Sequence, residues 1–195
     1  MKKFIVIMLL IAAPASAEKL SLDAVSSYFN AMTSAEAAFI QNSDDGNQSS
    51  GRMYIKRPGR IRFEYDSPNL ALVVVGGGQV AVFDPKANSE PTRFPLNQTP
   101  LSLVLERNVD LARRDMVVAH TSDGPRTLIT LQDPDRPEYG FIQLVFTDNP
   151  VQLHQWIVDD NSGSKTQIVL GDWTQGHKMP SILFNIQAEM QRRAN

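Results

Sequence analysis

Hydrophobic and polar positions along most of this chain repeat every two residues, the period of a half-buried β-strand. From Arg60 to Asp66 the alternation is strict: Ile61, Phe63 and Tyr65 point one way, and Arg60, Arg62, Glu64 and Asp66 the other. Met53 and Ile55 stand against Arg52, Tyr54 and Lys56 in the same manner. Further strands are predicted over Leu70 to Val75, Gln79 to Phe83, Thr127 to Gln132, Tyr139 to Phe146, Val151 to Val158, Lys165 to Leu170 and Ile182 to Ile186. Between them lie turn formers: Asp44-Asp45-Gly46-Asn47, Asp123-Gly124-Pro125, Asp148-Asn149-Pro150 and Asp159-Asp160-Asn161-Ser162-Gly163. Many short strands joined by polar turns predict a mainly β protein, an antiparallel sheet curled into a barrel or sandwich.

Two stretches obey the helical period instead. Ser21 can cap a short helix whose apolar face is Leu22, Val25, Phe29 and Met32. Thr99-Pro100 opens a second one over Leu101 to Arg107, with proline in the first turn. The start of the chain has another character: Lys2 and Lys3, an apolar run from Phe4 to Ala13, then Ala15-Ser16-Ala17. That is the pattern of a secretory signal peptide over residues 1–17, and the run is well short of the roughly 20 residues a membrane-spanning helix needs. A mature chain starting at Glu18 is expected outside the cytoplasm, with 18–195 as a single domain free of repeats and linkers.

Composition narrows the chemistry. With 195 residues, 42% of them hydrophobic, the chain can bury a core without metal or disulfide support. It has no cysteine, which excludes thiol nucleophiles, thiolate zinc sites, disulfides and lipid attachment through an N-terminal cysteine. Lys plus Arg number 19 against 21 Asp plus Glu, the wrong balance for a nucleic-acid binder. Gly76, Gly78 and Ala81 satisfy a G-x-G-x-x-A spacing after a strand, but that motif needs a following helix to hold a pyrophosphate. Here Val80, Val82 and Phe83 run into Asp84-Pro85, so the glycines are a hairpin turn. His120, His154 and His177 are scattered, and no G-x-S-x-G elbow occurs. No catalytic residue, metal ligand or cofactor is predicted, and the chain reads as a protein that is not an enzyme. What remains is apolar sheet surface with two short apolar helices to cover it. Closed, it is a core; partly open, it is a ligand cavity. Periodicity does not separate the two.

The stretch from Gly51 to Tyr65, with Lys56-Arg57-Pro58 at its centre and Pro68 beyond, resembles the outer-membrane lipoprotein carrier (LolA) family. Ala38-Phe39-Ile40-Gln41 is similar to that family's first strand, Gly77 to Pro85 to its hairpin, and Thr99-Pro100-Leu101 with Arg107-Asn108 to its lid segment. The chain departs from the family pattern at three places. Gly76 stands where an aspartate is usual and Ala81 where a tryptophan is usual, and Phe184-Asn185-Ile186 runs into Gln187 to Arg193 in place of a Pro-x-Gly ending. The resemblance implies an unclosed antiparallel β-barrel with a lid of short α-helices over an apolar cavity. It implies a periplasmic monomer that takes the acyl chains of lipoproteins from an inner-membrane ATP-driven releasing complex. Delivery would be to an outer-membrane receptor lipoprotein. Val25, Phe29, Ile61, Phe63, Leu101, Val104 and Leu105 would then line the cavity, and Arg57 would hold the lid shut through lid backbone. The same fold would also suit a periplasmic regulatory protein sensing lipids or lipoproteins, and a hydrolase without a marked motif is a further alternative.

Overall fold

The computed structural model describes residues 19–87, 90–112 and 115–194; the expected signal peptide lies outside them. Helix α1 (Leu22–Ala31) is followed by strands β1 (Ser34–Ser43), β2 (Gln48–Lys56), β3 (Ile61–Tyr65), β4 (Leu72–Gly76), β5 (Gln79–Phe83) and β6 (Thr92–Pro95). A short helix α2 (Ser102–Leu105) leads to β7 (Val117–Asp123), β8 (Arg126–Gln132), β9 (Phe141–Thr147), β10 (Gln152–Asp159), β11 (Lys165–Leu170) and β12 (Thr174–Gln175), and helix α3 (Ile186–Ala194) ends the chain. All strands join one antiparallel sheet in the order β6-β5-β4-β3-β2-β1-β11-β10-β9-β8-β7, with β12 beside the start of β1. The two ends of that order, β6 and β7, do not pair with each other, so the sheet curls without closing. The chain crosses from one free edge to the other between β6 and β7, and this crossover carries α2.

The turn signals sit where the hairpins are. Gly77 and Gly78, at φ +60° and +75°, form the tight connection between β4 and β5 that only residues tolerant of positive φ make readily. The inner face of the sheet carries Phe39, Met53, Ile55, Ile61, Phe63, Ile129, Leu131, Ile142, Leu144, Phe146 and Trp156, all buried in one continuous apolar cluster with α1 and α2. Ser21 caps α1 as its position predicts, accepting from the Ala24 N–H at 3.1 Å. Among the described residues no helix is long and apolar enough to cross a membrane.

The C-terminal region departs from the sequence expectation. Ile182 to Ile186 is not a strand: Ser181–Phe184 forms a 3₁₀ turn after Pro180, and Asn185 then starts α3 by accepting the Ala188 N–H at 3.0 Å. Proline at the entry and an asparagine N-cap outweigh the β-prone Ile-Leu-Phe run. This segment lies on the outer face of β3 to β5. Ile186 and Met190, one helical turn apart, pack on Leu72, Val74, Ala81 and Phe83, and the Arg193 guanidinium sits 4.9 Å from the Phe83 ring centre. Arg62, on the outward polar face of β3, is therefore covered by protein. It is 5% exposed, pairs with Glu64 at 2.7 Å and Glu189 at 3.3 Å, and donates to the Leu183 carbonyl at 3.1 Å.

The three departures from the family pattern meet in this one interface. Gly76 faces the Phe184 carbonyl so closely that a Cβ would overlap its oxygen. Ala81 is fully buried under α3, where a large ring would have to displace the helix. Gly76→Ala is therefore expected to lower stability by about 1–3 kcal/mol through overpacking alone, seen as a reduced Tm with early proteolysis of the C-terminal segment.

Glu189 makes this docking pH-dependent. Burial pushes its carboxyl up, but hydrogen bonds from Arg192 and Arg193 and the charge of Arg62 outweigh burial, so its pKa lies below the ordinary 4.5. A depressed carboxylate pKa contributes stability that is complete above the ordinary value and lost as pH falls through the folded one. Amide protection along α3, taken relative to the intrinsic exchange rate at each pH, is expected to fall below about pH 4.5 before that of the inner sheet. Glu189→Gln is expected to loosen α3 already at neutral pH, because it removes the carboxylate that Arg62, Arg192 and Arg193 share and leaves Arg62 only Glu64.

Candidate functional site

Where α1 and α2 cover the mouth of the curled sheet, Phe29, Met32, Ile55, Ile61, Leu101, Val104, Leu105, Leu153 and Trp156 surround a narrow apolar space, with Arg57 at its rim. About 10 Å³ is left there for the centre of a water molecule, the threshold for holding a single water. Of the residues singled out from the sequence, Phe29, Ile61, Leu101, Val104, Leu105 and Arg57 meet here. Val25 and Phe63 are buried but stand back from the gap. Phe63 is gripped edge-on by Phe39 at 5.4 Å and Trp156 at 6.2 Å between ring centres.

Trp156 and Leu153 were not expected to stand together. Three residues apart on a strand, they belong to opposite faces under period two. The β10–β9 register slips between Leu153 and Gln155, and the bulge at His154 turns both side chains inward. Nothing in the local sequence marks that bulge.

Polar contacts tie the lid to the barrel rim. The loop after β2 supplies two of them. Arg57 donates from Nη2 to the Glu106 carbonyl, and the Gly59 N–H donates to the Leu105 carbonyl at 2.9 Å. These are carbonyls that the end of a helix leaves without an intrahelical donor. The Arg57 backbone N–H is tied to the Thr33 carbonyl at 2.9 Å, and its guanidinium lies 5.8 Å from the Phe29 ring centre. Its Nε is buried without a hydrogen-bond partner. Burial lowers the Arg57 pKa, the Glu106 charge opposes this, and an arginine stays protonated regardless. Under the lid, Tyr28 meets Phe146 edge-on at 5.3 Å, and burial pushes its hydroxyl up to about 12, so it stays neutral.

An unclosed antiparallel half-barrel whose apolar mouth is roofed by two short helices is a fold of the ligand-carrier type, and among the described residues Arg57 alone brings a charge to the rim of its gap. The model of the family described as outer membrane lipoprotein carrier protein LolA matches residues 30–187, and the chain belongs to that family. It is similar to the outer-membrane lipoprotein carrier protein of Azotobacter vinelandii, at 28% identity over 90% of this chain and 87% of that one. The protein of the same name from Chromohalobacter salexigens is 25% identical over 81% and 78%. In fold it resembles a putative outer membrane lipoprotein-sorting protein domain from Vibrio parahaemolyticus, with a TM-score of 0.50 and 10% identity over 85% of this chain and 95% of that one.

The two kinds of position around the mouth should separate in stability measurements. Phe63→Ala empties a ring site held from both sides and is expected to cost about 3–5 kcal/mol in chemical denaturation. Leu101→Ala, at a half-buried lid position, is expected to cost about 1 kcal/mol.

Proposed function

We propose that the protein is a periplasmic lipoprotein carrier that shields acyl chains between its lid and its sheet. The observation that carries this reading is the mouth itself: an almost wholly apolar gap, held shut by a charged hydrogen bond from Arg57 and one amide bond from Gly59. A hydrogen bond to a charged group is worth about 1.5–3 kcal/mol and a neutral one about 1. Each buried methylene is worth about 0.8 kcal/mol, so roughly three to five methylenes offset the latch. An acyl chain has more than that and is far too large for the closed gap. It can therefore open the lid, and the broken latch then works against its retention.

In this reading Val25, Phe29, Ile61, Phe63, Leu101, Val104 and Leu105 become the acyl-chain surface once the lid lifts, and Arg57 is the closing residue. Loading occurs at an inner-membrane ATP-driven releasing complex and unloading at an outer-membrane receptor lipoprotein. The carrier acts as a monomer and performs no bond-breaking chemistry. Residues 1–17 direct export, and 18–195 form the carrier domain.

Arg57→Leu is expected to fold and take up lipoprotein but to transfer it poorly to the receptor, because the stronger of the two bonds that favour the closed, unloaded state is lost. Arg57→Lys should be milder, since the charge survives while the fork of donors is lost. A transfer assay with purified receptor checks both variants. Normal unloading by Arg57→Leu would overturn the latch.

A further inference from the structure

Besides the latch at the barrel rim, the lid segment is held by an independent group on α1. Three residues beyond the latch, the segment leading out of α2 is clipped to α1. Asn30 Nδ2 donates to the Val109 carbonyl at 2.8 Å while its Oδ1 accepts the Val109 N–H at 2.9 Å, a closed pair of bonds between one side chain and one peptide position. Ser26, one turn earlier on α1, accepts the Leu111 N–H at 3.0 Å and hands its own proton to the Leu22 carbonyl at 2.8 Å. Val109 and Leu111 are each 1% exposed. Helix α1 is held in turn against the sheet, with Phe29 and Tyr28 both edge-on to Phe146 of β9. Between latch and clip lie the exposed Arg107 and Asn108.

We propose that Asn30, supported by Ser26, is the pivot of the lid: when the latch opens, α2 swings about residues 107–108 while Val109 and Leu111 stay pinned to α1. This rests on the carrier reading for its purpose. A lid free at both ends would leave the acyl chains to water, whereas one pinned at 109–111 stays over them. Latch and pin then act in opposite directions on a bound chain. Loss of the Arg57 latch holds the chain longer, and loss of the Asn30 pin lets it leak. Asn30 is a positioning residue in this scheme, since it does not line the gap.

Amide hydrogen exchange on the full mature chain tests the pivot without any ligand. In Arg57→Leu, or in Arg57→Lys should the first not fold, the Gly59 N–H is expected to lose protection while the Val109 and Leu111 N–H groups keep theirs. Equal loss at all three would mean the lid lifts from α1 as one body and would overturn the pivot. In Asn30→Ala, exchange at Val109 should rise roughly 10- to 100-fold, the effect of two lost hydrogen bonds. A second measurement follows the dissociation of a synthetic triacylated lipopeptide. Asn30→Ala should release it roughly tenfold faster than the unmodified chain, the effect of exposing about two methylenes, whereas Arg57→Leu should release it more slowly. Unchanged or slower release by Asn30→Ala would overturn the covering role. Failure of the unmodified chain to bind the lipopeptide would instead refute the carrier reading, and the exchange pattern would still decide where the lid turns.

Discussion

A sheet that curls without joining its edges leaves part of its apolar interior for something else to cover. In this chain the cover is the connection between those edges. Because β6 and β7 are the free ends of the strand order, the crossover joining them has to pass over the open mouth, and α2 sits on it. With α1, which arrives from the N-terminal side, it supplies the apolar residues the sheet's inner face lacks on that side. The roof is thus a consequence of the topology. Its backbone is exposed to rearrangement in a way that a paired strand is not, since Arg57, Gly59, Asn30 and Ser26 replace the regular ladder of bonds that would lock a closed barrel.

The opposite face of the same strands is treated in the other manner. Over β4 and β5 the outer surface is apolar as well, and α3 seals it with an ion cluster around the buried Glu189 and Arg62. Breaking its buried Arg62–Glu189 pair costs about 3–5 kcal/mol, and the apolar contacts of Ile186 and Met190 add to that hold. Arg62 and Ile61 are neighbours on β3, one tied down beneath α3 and the other facing the gap under the lid. The wall is therefore held from behind, so in the proposed carrier cycle a ligand entering between wall and roof would move the roof.

The strands of period two, the hairpin glycines and the capped first helix were legible because each rests on local chemistry: alternation, positive φ, a serine at the helix start. The C-terminal helix was not read, although two signals for it were present. Leu72 to Val75 and Val80 to Phe83 are continuous apolar runs, which on an antiparallel sheet mean burial on both faces. Asn185 followed by Glu189 and two arginines is also a helix start and end. Strand β7 was missed for the opposite reason. It is an edge strand with most of its side chains in solvent, so it has no buried face to impose alternation. At the mouth, Ile61 and the lid residues followed from alternation and family likeness. Trp156 depended on a bulge, and the Asn30 clip joins positions 79 residues apart, a pairing that no local pattern encodes.

The weakness of the lid's attachment also bears on why the gap is so narrow when shut. A permanent cavity large enough for acyl chains would forgo the packing of its own walls in the closed form, at about 24 cal/mol for each Å³ left unfilled. For a space of several hundred Å³ that penalty would rival the whole stability of a domain. Collapsing Phe29, Leu105 and Trp156 onto one another avoids it. The space for a ligand is then created only when the ligand arrives, and its own burial offsets the loss of those contacts. In the proposed carrier cycle, the collapse of the same side chains together with the re-formed bonds from Arg57 and Gly59 would restore the closed form on unloading. Under the proposed function, a pocket of this kind binds by competing with its own walls, which would keep its affinity moderate enough for transfer to a partner.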